Sequence, residues 1–186
     1  ILHQDIAEEF MDRLQTRFEA MRVGDPLEQE TDIGPMARED LRDDLAEQVR
    51  QSVDAGADLV HGGTVPDRDG YFYEPTIIRN PPEGSPAYDE ELFGPVSTVF
   101  TVEDTDAAIE LANTTSYGLG ASLWTEDTDR AEDLVPRIEA GNVFVNELVK
   151  SDPRLPFGGV KDSGYGRELG EEGIKEFVNR KTVYIE

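Results

Sequence analysis

VSTVFTVEDTDAAIELANTTSYGLGASLWTEDTDRAEDLVPRIEAGNVFVN, residues 96–146, decides the fold. Val96 to Val102 reads as a strand, Asp104 to Asn113 as a helix capped by Asp or Thr, and Leu119 to Thr125 as a second strand. Asp127 to Glu139 reads as a second helix, which Pro136 should kink or shorten, and Gly141 to Asn146 as a third strand. Strand-helix-strand-helix-strand predicts an α/β fold with a parallel sheet and flanking helices, because strands running the same way need a long return path that a helix supplies. Ligands of open parallel sheets lie beyond the carboxyl ends of the strands, so the loop after Asn146 is the first place to look for a site.

Upstream, Ile6, Phe10, Leu14, Phe18 and Met21 recur at spacings of four and three, predicting a helix that packs by that stripe. Turn chemistry fills residues 23–36, and a second stripe follows at Leu41, Leu45, Val49 and Val53 until Gly56 ends it. Asp58 to His61 and Tyr71 to Ile78 read as short strands. Downstream, a short helix is expected around Glu168 to Asn179. The alternating Thr182 to Glu186 closes the chain as a two-faced strand. There is no internal repeat.

At 186 residues the chain is one domain's worth of polymer. Its 17 Lys and Arg against 41 Asp and Glu give a net charge of −24, which repels phosphate backbones and argues against nucleic acid as a partner. The acids are spread over nearly every predicted helix, so acidity reads as a general surface property. Self-repulsion of that size fades when the screening length falls to about 3 Å near 1 M salt, which points to a halophilic protein. The competing reading is a basic partner protein. Zero cysteines exclude disulfides, thiolate metal sites and a cysteine nucleophile on this chain. His3 and His61, the only histidines, supply no metal cluster. No run is apolar enough to span a membrane and the start resembles no signal peptide, so the expected place is the cytoplasm. The first residue is Ile, which suggests part of a longer protein.

Three motifs occur together: EELFGPV at 90–96, GNVFVN at 141–146 and PFGGVKDSGYGRELG at 156–170. With GDPLEQETDIGPM near the start and KTVYIE at the end, the whole chain resembles the aldehyde dehydrogenase superfamily, and the third motif is most similar to the succinate-semialdehyde dehydrogenase type. The resemblance implies a cysteine thiolate that attacks the aldehyde, a glutamate that activates water, and NAD or NADP as hydride acceptor. In relatives those catalytic groups lie upstream of the stretch that matches Ile1. Residues 1–180 then correspond to the C-terminal part of the catalytic domain. Residues 181–186 correspond to an oligomerisation strand that joins a neighbouring subunit, making a homo-oligomer.

Residue by residue, Glu91 matches the glutamate that accepts hydrogen bonds from the cofactor ribose, and Phe93 the aromatic near the nicotinamide ribose. Phe157 matches an aromatic lining the aldehyde tunnel, and it also falls in the loop beyond the strand ending at Asn146. Ser151 occupies the position where semialdehyde-acid dehydrogenases hold the substrate's distal carboxylate, and Arg154 could add charge-assisted hydrogen bonds. Gly158 and Gly159 read as backbone positions that need freedom, and Asn146, Arg167 and Glu168 as groups that tie loops together.

Three functions compete on the sequence alone. The first is the C-terminal part of an NAD(P)-dependent aldehyde dehydrogenase acting on a small-molecule aldehyde. The second is a truncated noncatalytic binding or assembly module of the same fold. The third is a superfamily relative that reduces acyl phosphates or acyl thioesters.

Overall fold

The computed structural model describes all 186 residues. Strand β1 (Leu2–His3) leads into helix α1 (Gln4–Glu19), where His3 Nδ1 accepts a hydrogen bond from the Asp5 amide at 3.2 Å. Helix α1 packs through buried Ala7 and Met11, with Leu14 and Phe18 beside them. The predicted stripe is corrected here, since Ile6 and Phe10 are 56% and 44% exposed and Met21 lies beyond the helix end. Ile6 and Phe10 each sit one residue, or about 100°, from the packing positions Ala7 and Met11.

Helix α2 (Glu39–Asp54) packs through Leu45 and Val49 as expected, and just past it Gly56 adopts φ +115°. Its Ser52 hydroxyl donates to the Gln48 carbonyl (2.7 Å) and accepts from the Ala87 amide (2.9 Å). This joins α2 to the segment around Ala87. Strands β2 (Asp58–His61) and β3 (Thr76–Arg79) pair antiparallel, with an irregularity between Leu59 and His61. The strand expected at Tyr71 to Ile78 starts only at Thr76. Phe72 and Tyr73 are buried but outside any ladder, because Pro75 has no amide proton and the Thr76 hydroxyl binds the Glu74 carbonyl (2.7 Å) and the Gly63 amide (2.8 Å).

Helix α3 (Pro86–Asp89) precedes β4 (Val96–Val99), which pairs parallel with β3, and β5 (Thr101–Val102), which pairs parallel with β1. The single strand expected at Val96 to Val102 therefore breaks at Phe100. Asn80, at φ +46°, takes the Thr101 amide on its Oδ1 at 2.9 Å, which ends the ladder with β3. Alternation along β3 serves both faces of the sheet. Ile78 packs with Leu45, Val49, Ala57, Tyr73 and Ala87, while Ile77 packs with Leu2, Ala7, Met11 and Val99. Burying each isoleucine contributes about 1.5–3 kcal/mol.

These elements form one compact unit, residues 1–108, and residues 109–186 form a second. Helix α4 (Thr105–Thr114) crosses the boundary and is capped by Asp104, whose Oδ1 accepts from the Ala107 amide at 2.8 Å. In the second unit, β6 (Tyr117–Gly118) is followed by β7 (Gly120–Leu123), helix α5 (Thr128–Leu134) and β8 (Asn142–Val145). Strands β7 and β8 pair in parallel across the α5 crossover, as the alternation predicts. Asp127 caps α5, and Pro136 ends it in a tight turn at Val135–Arg137. Strand β9 (Val160–Lys161) pairs antiparallel with β6, and α6 (Gly170–Lys175) is shorter than the expected helix.

The sheet is thus not one continuous parallel array, because β4 and β7 belong to different small sheets and two of the pairings are antiparallel. Thr182 to Glu186 forms no strand in this chain, and Val183, Tyr184 and Ile185 are exposed. Alternation specifies two faces, but a strand also needs a partner edge, which the chain does not offer there. No helix is long and apolar enough to cross a membrane.

Candidate functional site

At the carboxyl end of β8, Asn146 adopts φ +55°. Its amide side chain accepts from the Thr125 N–H (2.9 Å) and donates to the Thr125 carbonyl (2.8 Å), clamping the ends of β7 and β8 together. Beyond it the chain turns back and leaves a hollow of about 310 Å³ between β8 and Lys150, Asp152, Leu155, Pro156 and Phe157. The walls are apolar except for the Asn142 amide and the two charged side chains, Lys150 and Asp152.

The loop carrying Phe157 is held by backbone. Phe157 and Glu168 exchange two backbone hydrogen bonds of 2.7 and 2.6 Å, and Arg167 donates to the Gly159 and Gly166 carbonyls at 3.0 and 2.6 Å. Asn142 Nδ2 donates to the Gly158 carbonyl (2.9 Å) and the Leu119 carbonyl (2.8 Å). Gly141 faces the same carbonyl so closely that a Cβ there would overlap its oxygen. That contact accounts for the glycine at 141, whereas a Cβ on Gly158 would meet the Gly166 carbonyl and Arg167, and one on Gly159 would meet Ser163, all within their own loop.

Of the residues expected at this site, Phe157 lines the hollow, while Ser151 and Arg154 share its loop without lining it. The Arg154 guanidinium forks onto Asp152, Nε to Oδ1 at 2.9 Å and Nη2 to Oδ2 at 2.6 Å, and its backbone amide adds a third bond of 2.9 Å. That fork, then the amide bond, holds the Asp152 carboxyl well below the usual carboxylate range. Lys150 Nζ sits 2.6 Å from Glu147 Oε2, and this bond together with the Leu148 amide lowers the Glu147 carboxyl. The sequence motifs do not single out Lys150, Asp152, Gly141 or Asn142, because residues 148–152 form no strand and only the folded backbone shows which of them face the hollow.

Glu91 and Phe93 lie in the first unit, between α3 and β4. Gln48 anchors this segment by donating to the Glu90 carboxylate (2.7 Å) and, at 3.4 Å, to the Glu91 carbonyl. The Glu91 carboxylate is exposed and makes no bond within the chain. Phe93, 71% exposed, borders a second hollow of about 310 Å³ with Met36, Ala37, Leu41, Leu92 and Gly94. A carboxylate with both oxygens unengaged can accept from two neighbouring hydroxyls, and the aromatic beside an apolar floor can stack on a flat ring. No group of three or more His, Cys, Asp or Glu is placed to hold a metal ion.

Residues 1–183 match the model of the aldehyde dehydrogenase family. A Synechocystis sp. protein named "Probable succinate-semialdehyde dehydrogenase, NADP(+)" is 50% identical over 185 residues, covering 100% of this chain and 41% of that protein. Among solved structures, the succinic semialdehyde dehydrogenase of Streptococcus pyogenes in complex with NADP+ superposes with a TM-score of 0.94 at 38% identity, over 98% of this chain and 40% of that one. The betaine aldehyde dehydrogenase of Staphylococcus aureus in complex with NAD+ gives 0.89 at 34% identity, over 94% and 36%. The chain spans about two fifths of the length of the curated relatives it matches.

Proposed function

The chain belongs to the aldehyde dehydrogenase family, and on that footing we propose that it is the C-terminal part of an NAD(P)-dependent enzyme oxidising succinate semialdehyde to the dicarboxylic acid. The observation that carries this reading is the largely apolar hollow beyond β8, with Phe157 and the cationic residue Lys150 among those that line it. Its size suits a small aldehyde, and it sits where parallel strands place ligands. The relatives named for succinate semialdehyde support the substrate.

Within the enzyme, residues 1–180 form part of the catalytic domain and 181–186 a strand that completes a neighbouring subunit's sheet, covering exposed Val183, Tyr184 and Ile185. The residues present fit the nicotinamide cofactor: the unengaged Glu91 carboxylate would hold the ribose hydroxyls and Phe93 would lie beside the ring. When bound, NAD or NADP supplies the hydride acceptor. Phe157 and Leu155 exclude water from the aldehyde, and Ser151 and Arg154 offer donors at the mouth of the hollow, Arg154 through the N–H groups its fork leaves free. With no cysteine, the 186-residue chain lacks the family nucleophile and is inactive alone. The net charge of −24 supports a protein adapted to high salt.

The test is aldehyde-dependent growth of reduced nicotinamide absorbance. The full-length polypeptide should show it with succinate semialdehyde and the isolated chain should not. Turnover by the isolated chain, or none by the full-length protein, overturns the proposal.

A further inference from the structure

We propose that Lys150 is a specificity-determining residue, its ammonium anchoring the distal carboxylate of a short ω-carboxylated aldehyde bound in the Phe157 hollow. This rests on reading that hollow as the aldehyde site. Lys150 is the only cation on a wall otherwise built from β8, Leu155, Pro156, Phe157 and Asp152. The other nearby cation, Arg154, has a side chain that is 85% exposed and forked onto Asp152, outside the lining. The fork has a second effect: it cancels the Asp152 charge, which would otherwise repel an anionic substrate from the same wall.

Lys150 is committed only loosely. Its partner Glu147 lies three residues away on the surface, both side chains about half exposed, and such pairs contribute little to stability. An ammonium has three donors, so two remain for an incoming carboxylate even while Glu147 holds the third. The four-carbon stem lets the charge follow substrates of slightly different length, which a serine hydroxyl fixed to the backbone cannot do. Ser151, between the two charged residues, does not line the hollow. The carboxylate anchor therefore moves one residue from where the motif alone put it.

The experiment compares full-length wild type with Lys150→Met and Lys150→Arg, using succinate semialdehyde and, as an uncharged aldehyde of similar length, butanal. Lys150→Met should raise KM for succinate semialdehyde by roughly tenfold or more, the loss of one charge-assisted hydrogen bond. It should leave kcat and the butanal parameters unchanged, and Lys150→Arg should restore most of the affinity. Unchanged melting temperature shows that the variants fold. An unchanged KM for the semialdehyde in Lys150→Met, or an equal rise for both aldehydes, overturns the proposal. A wild type that turns over neither aldehyde overturns instead the functional reading beneath it.

Discussion

Replacing Gly141 by alanine adds one methyl group where the structure leaves no room. The new Cβ would overlap the Gly158 carbonyl oxygen and lie 2.8 Å from the Gly158 carbonyl carbon and 3.1 Å from the Gly159 Cα. Carbon atoms rest about 3.5–4.0 Å apart, so the loop must retreat by roughly 0.7–1.2 Å to clear the carbonyl carbon alone. The contact is backbone on backbone, and no side-chain rotation relieves it. Retreat also stretches the 2.9 Å bond from Asn142 Nδ2 to the Gly158 carbonyl and carries the neighbouring Phe157 away from β8. Gly141→Ala should destabilise the protein by about 1–3 kcal/mol, the usual cost of overpacking. A displacement near 1 Å at a substrate wall should lower kcat/KM for the aldehyde by roughly 100-fold. Gly120→Ala is the control, because the nearest atoms to its Cβ belong to the Val149 side chain, at 2.7 Å from Cγ1, and a side chain on a loop can give way where the Gly158 backbone cannot. Chemical denaturation and steady-state kinetics of the full-length variants decide the matter. Gly141→Ala with wild-type stability and activity, or Gly120→Ala with equal damage, would refute the reasoning.

Glu91→Gln keeps the shape of the side chain but removes its charge, so KM for the nicotinamide cofactor should rise about tenfold while KM for the aldehyde stays put, read by steady-state kinetics. The Asp152 carboxyl should titrate well below the ordinary value near 3.9, and Arg154→Gln should return its midpoint toward that value, followed by carbon NMR of labelled protein. Its folded value lies below the unfolded one, so the pair contributes stability that is fully present above about pH 4 and disappears as pH falls through the folded value. If the acidic surface reflects a halophilic protein, the melting temperature should climb between about 0.1 and 3 M KCl, and a flat or falling series would count against it.

Much of the second unit was legible because each of its signals is local. Asp127 caps a helix, Pro136 stops it, and the turn residues on either side leave short segments for the parallel pair, of which only the second, with Val143 and Val145, is rich in β-branched residues. The face of α1 was not. Ile6 outranks Ala7 and Phe10 outranks Met11 in hydropathy, yet the smaller or more flexible residues pack against the sheet, where close approach matters more than transfer energy. Leu14 and Phe18 fit both stripes, so periodicity alone could not choose between them.

Long-range pairing was also hidden. Nothing in Asp58 to His61 says that it runs antiparallel to Thr76–Arg79, and the break at Phe100 depends on the side chain of Asn80, twenty positions upstream. In the candidate site, motif matching placed Phe157 on the hollow but gave no weight to Lys150 and Asp152. Those residues stand out only once the backbone shows which side of the loop faces inward.

Steady-state kinetics of full-length Phe157→Ala test directly whether the hollow beyond β8 is the aldehyde's wall. Phe157 is half-buried, so loss of its contact with the aldehyde, about half the value of a fully buried ring, should raise KM for the aldehyde by roughly 3- to 10-fold and leave KM for the nicotinamide cofactor unchanged. A variant in which the cofactor KM rises while the aldehyde KM holds would contradict it.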